Sequence, residues 1–91
     1  MAKRKQTLGS FLQEAREVSG LSQKQVATKF GYTTPQFISN WERGISFPPL
    51  KTLKKLGELY GINPEALFEV LLETKISDLR TDLEKTFYKK A

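Results

Sequence analysis

The chain has no cysteine and no histidine among its 91 residues. Without cysteine there is no disulfide framework, which suits a reducing compartment. Zinc sites built from Cys or His are excluded, and so are Cys and His as catalytic nucleophiles or bases. The carboxylates Glu14, Glu17 and Glu58 are scattered over charged helix faces, and no Gly-rich phosphate loop, metal-ligand cluster or nucleophile–base set is present. No enzyme, metal or cofactor is therefore expected, and no small-molecule ligand is evident. No apolar run approaches the roughly 18–20 residues that span a bilayer. Met1-Ala2-Lys3-Arg4-Lys5-Gln6 is charged and lacks a following apolar segment, so it does not read as a signal peptide. Alternating apolar and polar residues never run long enough for a sheet, and there is no repeat or low-complexity tract. What these absences leave is a small binding protein, expected in the cytoplasm.

The formal charge is +5, which favours an acidic polymer or surface as partner. It is unevenly placed: residues 1–60 hold ten Lys/Arg against four Asp/Glu, and residues 61–91 hold five against six. The basic excess coincides with a series of helical signals. Leu8, Phe11, Leu12, Ala15 and Val18 recur at three- and four-residue steps, which predicts a first helix ended by Gly20. Ser22 and Gln25 form a capping-box pattern ahead of a second helix with Val26, Ala27 and Phe30 inside and Gly31 at its end. Thr33 or Thr34 can cap a third helix with Pro35 at its first position, Ile38 and Trp41 inward and Gly44 closing it. After the proline-stiffened loop Ile45–Pro49, the residues Leu50, Leu53, Leu56, Leu59 and Tyr60 predict a fourth helix ended by Gly61. Asn63-Pro64 opens a fifth, with Ala66, Leu67, Val70 and Leu71 toward the core. Residues 74–88 hold no Gly or Pro and read as helical, either continuing the fifth helix or bending near Thr74.

Taken together, Ser22-Gln23, Val26-Ala27, Phe30-Gly31, Ile38-Ser39, Glu42-Arg43-Gly44, Pro49 and the Leu-rich fourth helix resemble the lambda-repressor-like (Cro/XRE-type) helix-turn-helix family. The resemblance runs from about Leu8 to Leu72. It implies an all-α fold: a compact five-helix lambda-repressor-like DNA-binding domain over residues 7–73, with a flexible basic arm at 1–6 and an additional C-terminal helical segment at 74–91. It also implies a sequence-specific regulator of transcription, a repressor, whose partner is an operator in double-stranded DNA. In one respect the chain departs from the family pattern. Twelve residues separate Gly31 from Gly44 where the family usually has eleven. The extra residue is placed in the turn around Tyr32-Thr33; the alternative is a longer start to the third helix.

In such a motif the second helix of the pair lies in the major groove with base-reading side chains near its N-terminus. With Ile38 and Trp41 buried, the helix predicted over 34–43 leaves Gln36, Phe37, Ser39, Asn40 and Arg43 on its free face. Gln and Asn can grip adenine in bidentate fashion and an aromatic edge can touch a thymine methyl. Gln36 and Asn40 are the expected readers, followed by Phe37 and Thr34, with Ser39 on the same face. Gln23, Lys24, Arg43, Ser46 and Lys51 are expected at phosphates, supplying affinity but no sequence choice. Lys3, Arg4 and Lys5 serve either as a DNA arm or as a solubility tail. Trp41 reads as core, and Glu42, badly placed to face phosphate, as structural; the resemblance offers Arg16 as its partner.

A single motif makes a small footprint, and operators are usually pseudo-palindromes read by dimers. Leu72, Ile76, Leu79 and Leu83, with Phe87 beyond, form a heptad-like seam flanked by mixed charge, the candidate dimerisation element. The competing reading folds this helix back over its own core. The mixed sign of its polar face argues against a membrane role. The alternative function is a protein-interaction module, antitoxin-like or adaptor, on the same fold with little specific DNA binding.

Overall fold

Five helices, and no strand among the described residues, follow the order predicted from the caps: α1 (Leu8–Val18), α2 (Gln23–Lys29), α3 (Gln36–Glu42), α4 (Leu50–Tyr60) and α5 (Pro64–Phe87). The computed structural model describes residues 7–89; Lys3, Arg4 and Lys5 lie outside them. The all-helical expectation holds.

Capping chemistry sets most boundaries. At α2 the Ser22 hydroxyl accepts from the Gln25 backbone amide at 3.0 Å, and the Gln25 side chain accepts from the Ser22 amide at 2.8 Å. Two of the amides that a helix start leaves unpaired are thereby satisfied. Thr7 and Ser10 repeat the arrangement at α1. Asn63 Oδ1 accepts from the amides of Glu65 and Ala66 ahead of α5, with Pro64 in the first turn. Gly31 ends α2 at φ 78°, letting the Tyr32 amide turn back to the Ala27 carbonyl at 2.9 Å.

Leu8, Leu12, Val26, Ala27, Ile38, Trp41, Leu53, Leu56 and Leu67 form the core, one or more from each helix. Phe11, Phe30, Leu59, Val70 and Leu71 pack against it. At Gly9 an added Cβ would strike the carbonyl oxygens of Trp41 and Glu42, so the absence of a side chain lets α1 lie directly on the end of α3. Gly57 gives Leu67 the same room between α4 and α5.

The structure corrects several sequence expectations. Val18, Leu50 and Ala66 are exposed, not core. Each lies at the edge of its helix's apolar arc, and a helix in a domain this small has neighbours on only part of that arc. Helix α3 starts at Gln36, with Pro35 as its N-cap and not its first residue. The Pro35 carbonyl accepts the first helical bond, from Ser39 at 2.9 Å, while the Thr34 hydroxyl sits 3.3 Å from the Gln36 amide. Residues 32–35 form the turn before α3.

Helix α5 neither bends near Thr74 nor folds back. It runs 24 residues without a break, about 36 Å at 1.5 Å per residue. Thr74 ties it to the body: its hydroxyl accepts from the Leu8 amide at 2.9 Å, capping α1, and donates to the Val70 carbonyl at 2.7 Å. Lys75 Nζ lies 4.0 Å from the centre of the Phe47 ring. Beyond these residues the helix projects, and the molecule reaches 48 Å in its longest dimension.

Candidate nucleic-acid interface

Helix α3 is held from its inner side. Ile38 and Trp41 are buried there, and Glu42 at its last turn is buried with them. Glu42 meets Arg16 of α1 in a two-pronged contact: Nε to Oε2 at 2.6 Å and Nη2 to Oε1 at 3.0 Å. Arg16 Nη1 also donates to the Leu21 carbonyl at 2.8 Å, and Gln23 Nε2 donates to Glu42 Oε1 at 2.9 Å. One carboxylate therefore fastens α1, the start of α2 and the end of α3 together. This bidentate geometry, with the remaining polar atoms occupied, is what allows an ion pair to persist away from water. The bond to Glu42 holds the Arg16 guanidinium charged, raising its pKa. Tyr60 lies in the same field: burial first, then the Glu42 charge, push its phenol up to about 12.

The outer side of α3 differs. Gln36 is exposed, and Ser39 and Asn40 are partly buried. Gln36 Nε2 donates to Asn40 Oδ1 at 2.9 Å, a contact one helical turn long. The remaining capacity faces solvent: Asn40 Nδ2 as donor, Gln36 Oε1 as acceptor and the second Gln36 N–H. Thr34 is exposed ahead of the helix. Phe37 is 53% exposed, with one face used by its neighbours: its ring centre lies 5.0 Å from Tyr32 and 6.2 Å from Trp41. The long turn thus holds Tyr32 as a prop beneath Phe37.

The residues expected at phosphates are spread over three places. Lys24 and Lys51 are exposed on α2 and in the first turn of α4. Arg43 and Ser46, also exposed, border a crevice that includes Thr7, Thr74 and Asp78. Gln23 is partly buried, with its amide nitrogen committed to Glu42. Sequence reasoning missed this link and the Thr74 cap because both join residues far apart in the chain. The Gln36–Asn40 contact was legible, since amides four apart on a helix face each other. Of the seam residues, Leu72, Ile76, Leu79, Leu83 and Phe87 are all exposed. Among the described residues no acidic cluster can hold a metal ion, and no helix is long and apolar enough to cross a membrane.

A helix-turn-helix family model matches residues 12–67, more than half of the chain. The chain is also similar to the HTH-type transcriptional regulator ImmR of Bacillus subtilis (strain 168), with 38% identity over 61 residues. That alignment covers 67% of this chain and 47% of ImmR, so the chain spans about half the length of the curated relative it matches. The family match takes in the Arg16–Glu42 anchor and the Gln36–Asn40 pair and stops at Leu67, short of the exposed stripe on α5.

Proposed function

The chain belongs to this helix-turn-helix family, and on that premise we propose that it is a sequence-specific DNA-binding regulator of transcription, a repressor, acting as a homodimer without catalysis. Helix α3 enters the major groove of a pseudo-palindromic operator. Gln36 and Asn40 read bases, with Phe37, Thr34 and Ser39 beside them. Lys24, Arg43, Ser46 and Lys51 meet phosphates, and Gln23 positions the motif against the backbone. The α5 seam joins the protomers. A cytoplasmic, nucleoid-associated location goes with this role.

One observation carries the reading: the outward amide pair on a helix whose inner side is fastened by Trp41 and Glu42. The mutual bond uses one N–H of Gln36 and one lone pair of Asn40 Oδ1, so each amide keeps a donor and an acceptor, and the pair opens only where a base contact claims the shared atoms. Such an exposed pair is worth about 0.2–0.5 kcal/mol, against roughly 1–3 kcal/mol of discrimination from a good bidentate base contact. The groove contact wins. ImmR, by its name a transcriptional regulator, supports the same direction.

The test is a duplex-binding titration against salt with sites selected from a random pool. Affinity should fall steeply as salt rises, because neutralised phosphates release counterions. Gln36→Ala with Asn40→Ala should abolish preference for the selected site and leave nonspecific affinity nearly intact. Preference surviving that double change would remove α3 as the reader. The exposed α5 stripe also favours a second reading, a protein-interaction module; weak, sequence-blind binding confined to low salt would establish that reading instead.

A further inference from the structure

Two stripes run along α5. One faces the body: Leu67 is buried, and Val70, Leu71 and Thr74 are partly buried. The other carries Phe68, Leu72, Ile76, Leu79, Leu83 and Phe87, all between 40% and 80% exposed. At about 3.6 residues per turn the stripes lie on opposite sides of the helix. A second helix can therefore lie along α5 on the side away from its buried stripe, meeting the body only at the Phe68 end, where Leu50 and Lys54 of α4 border the same groove.

We propose that this second helix is α5 of another copy of the chain, laid antiparallel about a two-fold axis passing between Ser77 and Asp78. The proposal rests on the homodimer of the preceding reading and adds its orientation and register. The exposed apolar residues are symmetric about that point. Ile76 sits opposite the partner's Leu79, and Leu72 sits opposite the partner's Leu83. Phe68 and the partner's Phe87 come to the same level on the two margins of the interface.

Apolar matching alone does not choose between antiparallel and parallel, because a parallel pair also sets each residue against its own copy. The flanking charges do choose. In the antiparallel register Lys75 falls beside the partner's Asp82, and Glu73 beside the partner's Arg80. Symmetry makes each contact twice, so four attractive pairs flank the seam. A parallel pair sets Lys75 near the partner's Arg80, two like charges, and leaves Asp82 near an aromatic ring. Lys75 already lies over Phe47, but a cation–ring contact leaves ammonium N–H groups free for a carboxylate.

The dimensions agree. The six stripe residues expose on the order of 600 Å² per copy, so a pair buries at most about 1,200 Å², the lower edge for a specific interface. Antiparallel pairing sets the bodies at opposite ends, with their Leu67 anchors about 30 Å apart along the helix axis.

The absence of cysteine in the native chain makes the test direct. Leu72→Cys and Leu83→Cys are made separately in the full chain and oxidised singly and as a mixture. Antiparallel pairing gives an interchain disulfide only in the mixture, because each position faces the other and lies about 16 Å from its own copy. Disulfides in each variant alone would overturn the antiparallel register and leave the homodimer standing. A monomer in sedimentation at all concentrations, with no disulfide in any sample, would overturn both. As a second measurement, Lys75→Glu should weaken dimerisation about tenfold and Asp82→Lys in the same chain should restore it. Failure of that restoration would also overturn the register.

Discussion

Helix α3 carries two polar pairs in opposite surroundings. Glu42 and Arg16 are buried, doubly bonded and joined by Gln23. Gln36 and Asn40 share a single bond at the surface. The buried pair cannot lose a member without stranding a charge away from water. The exposed pair can open at little cost, because water replaces what is lost. The difference separates what holds the helix from what the helix presents. Its inner side is fixed at Glu42 and its outer amides are chemically adaptable, so they can rearrange without moving the fold.

The comparison is broken most severely by Glu42→Ala. Arg16 would then be buried without its partner, and a loss of about 3–5 kcal/mol is expected in urea unfolding. The paired replacement Arg16→Met with Glu42→Leu should cost much less, since it leaves no charge uncompensated. A single loss below about 1 kcal/mol would show that water reaches the pair. Next is alkaline pH. Tyr60 titrates near 10 when unfolded and at about 12 when folded, because burial and the Glu42 charge favour the neutral phenol. Its contribution is complete below pH 10 and is lost as pH rises toward 12. Partial exposure to water keeps this to about 1 kcal/mol, and Tyr60→Phe should flatten the stability profile across that window. Gln23→Ala should cost about 0.5–1.5 kcal/mol, the value of one hydrogen bond to a carboxylate still held by Arg16. Smallest is the outer pair: Gln36→Ala or Asn40→Ala should shift stability by less than about 0.5 kcal/mol. A larger shift would mean that the amides serve the fold and not a ligand.

The same division describes what could be read in advance. Where a local pattern has a local cause, the sequence was legible. Ser22 with Gln25, Asn63 with Pro64, and the glycine after each of the first four helices mark their boundaries because the groups involved lie within a few residues. Pro35 was misplaced by one position because its fixed φ suits both an N-cap and a first turn, and the Ser39 amide settles the matter. Ala66 was misassigned, and Val18 and Leu50 are bare, because periodicity gives the direction of an apolar arc but not how much of it a neighbour covers. The bond from Gln23 to Glu42 was not legible, because nothing near Gln23 reveals a carboxylate nineteen residues on.

Composition and spacing by themselves determined that this chain makes five helices, that Ile38 and Trp41 turn inward, and that amides remain on the free side of α3. Those outcomes follow from capping, periodicity and burial, which act over one or two helical turns. Only the tertiary structure decided that α5 runs straight through Thr74 and leaves its outer stripe bare. The helix signal there is the same whether the chain continues or turns back. The choice rests on a hydroxyl that caps α1 from sixty-six residues away and on a lysine lying over Phe47.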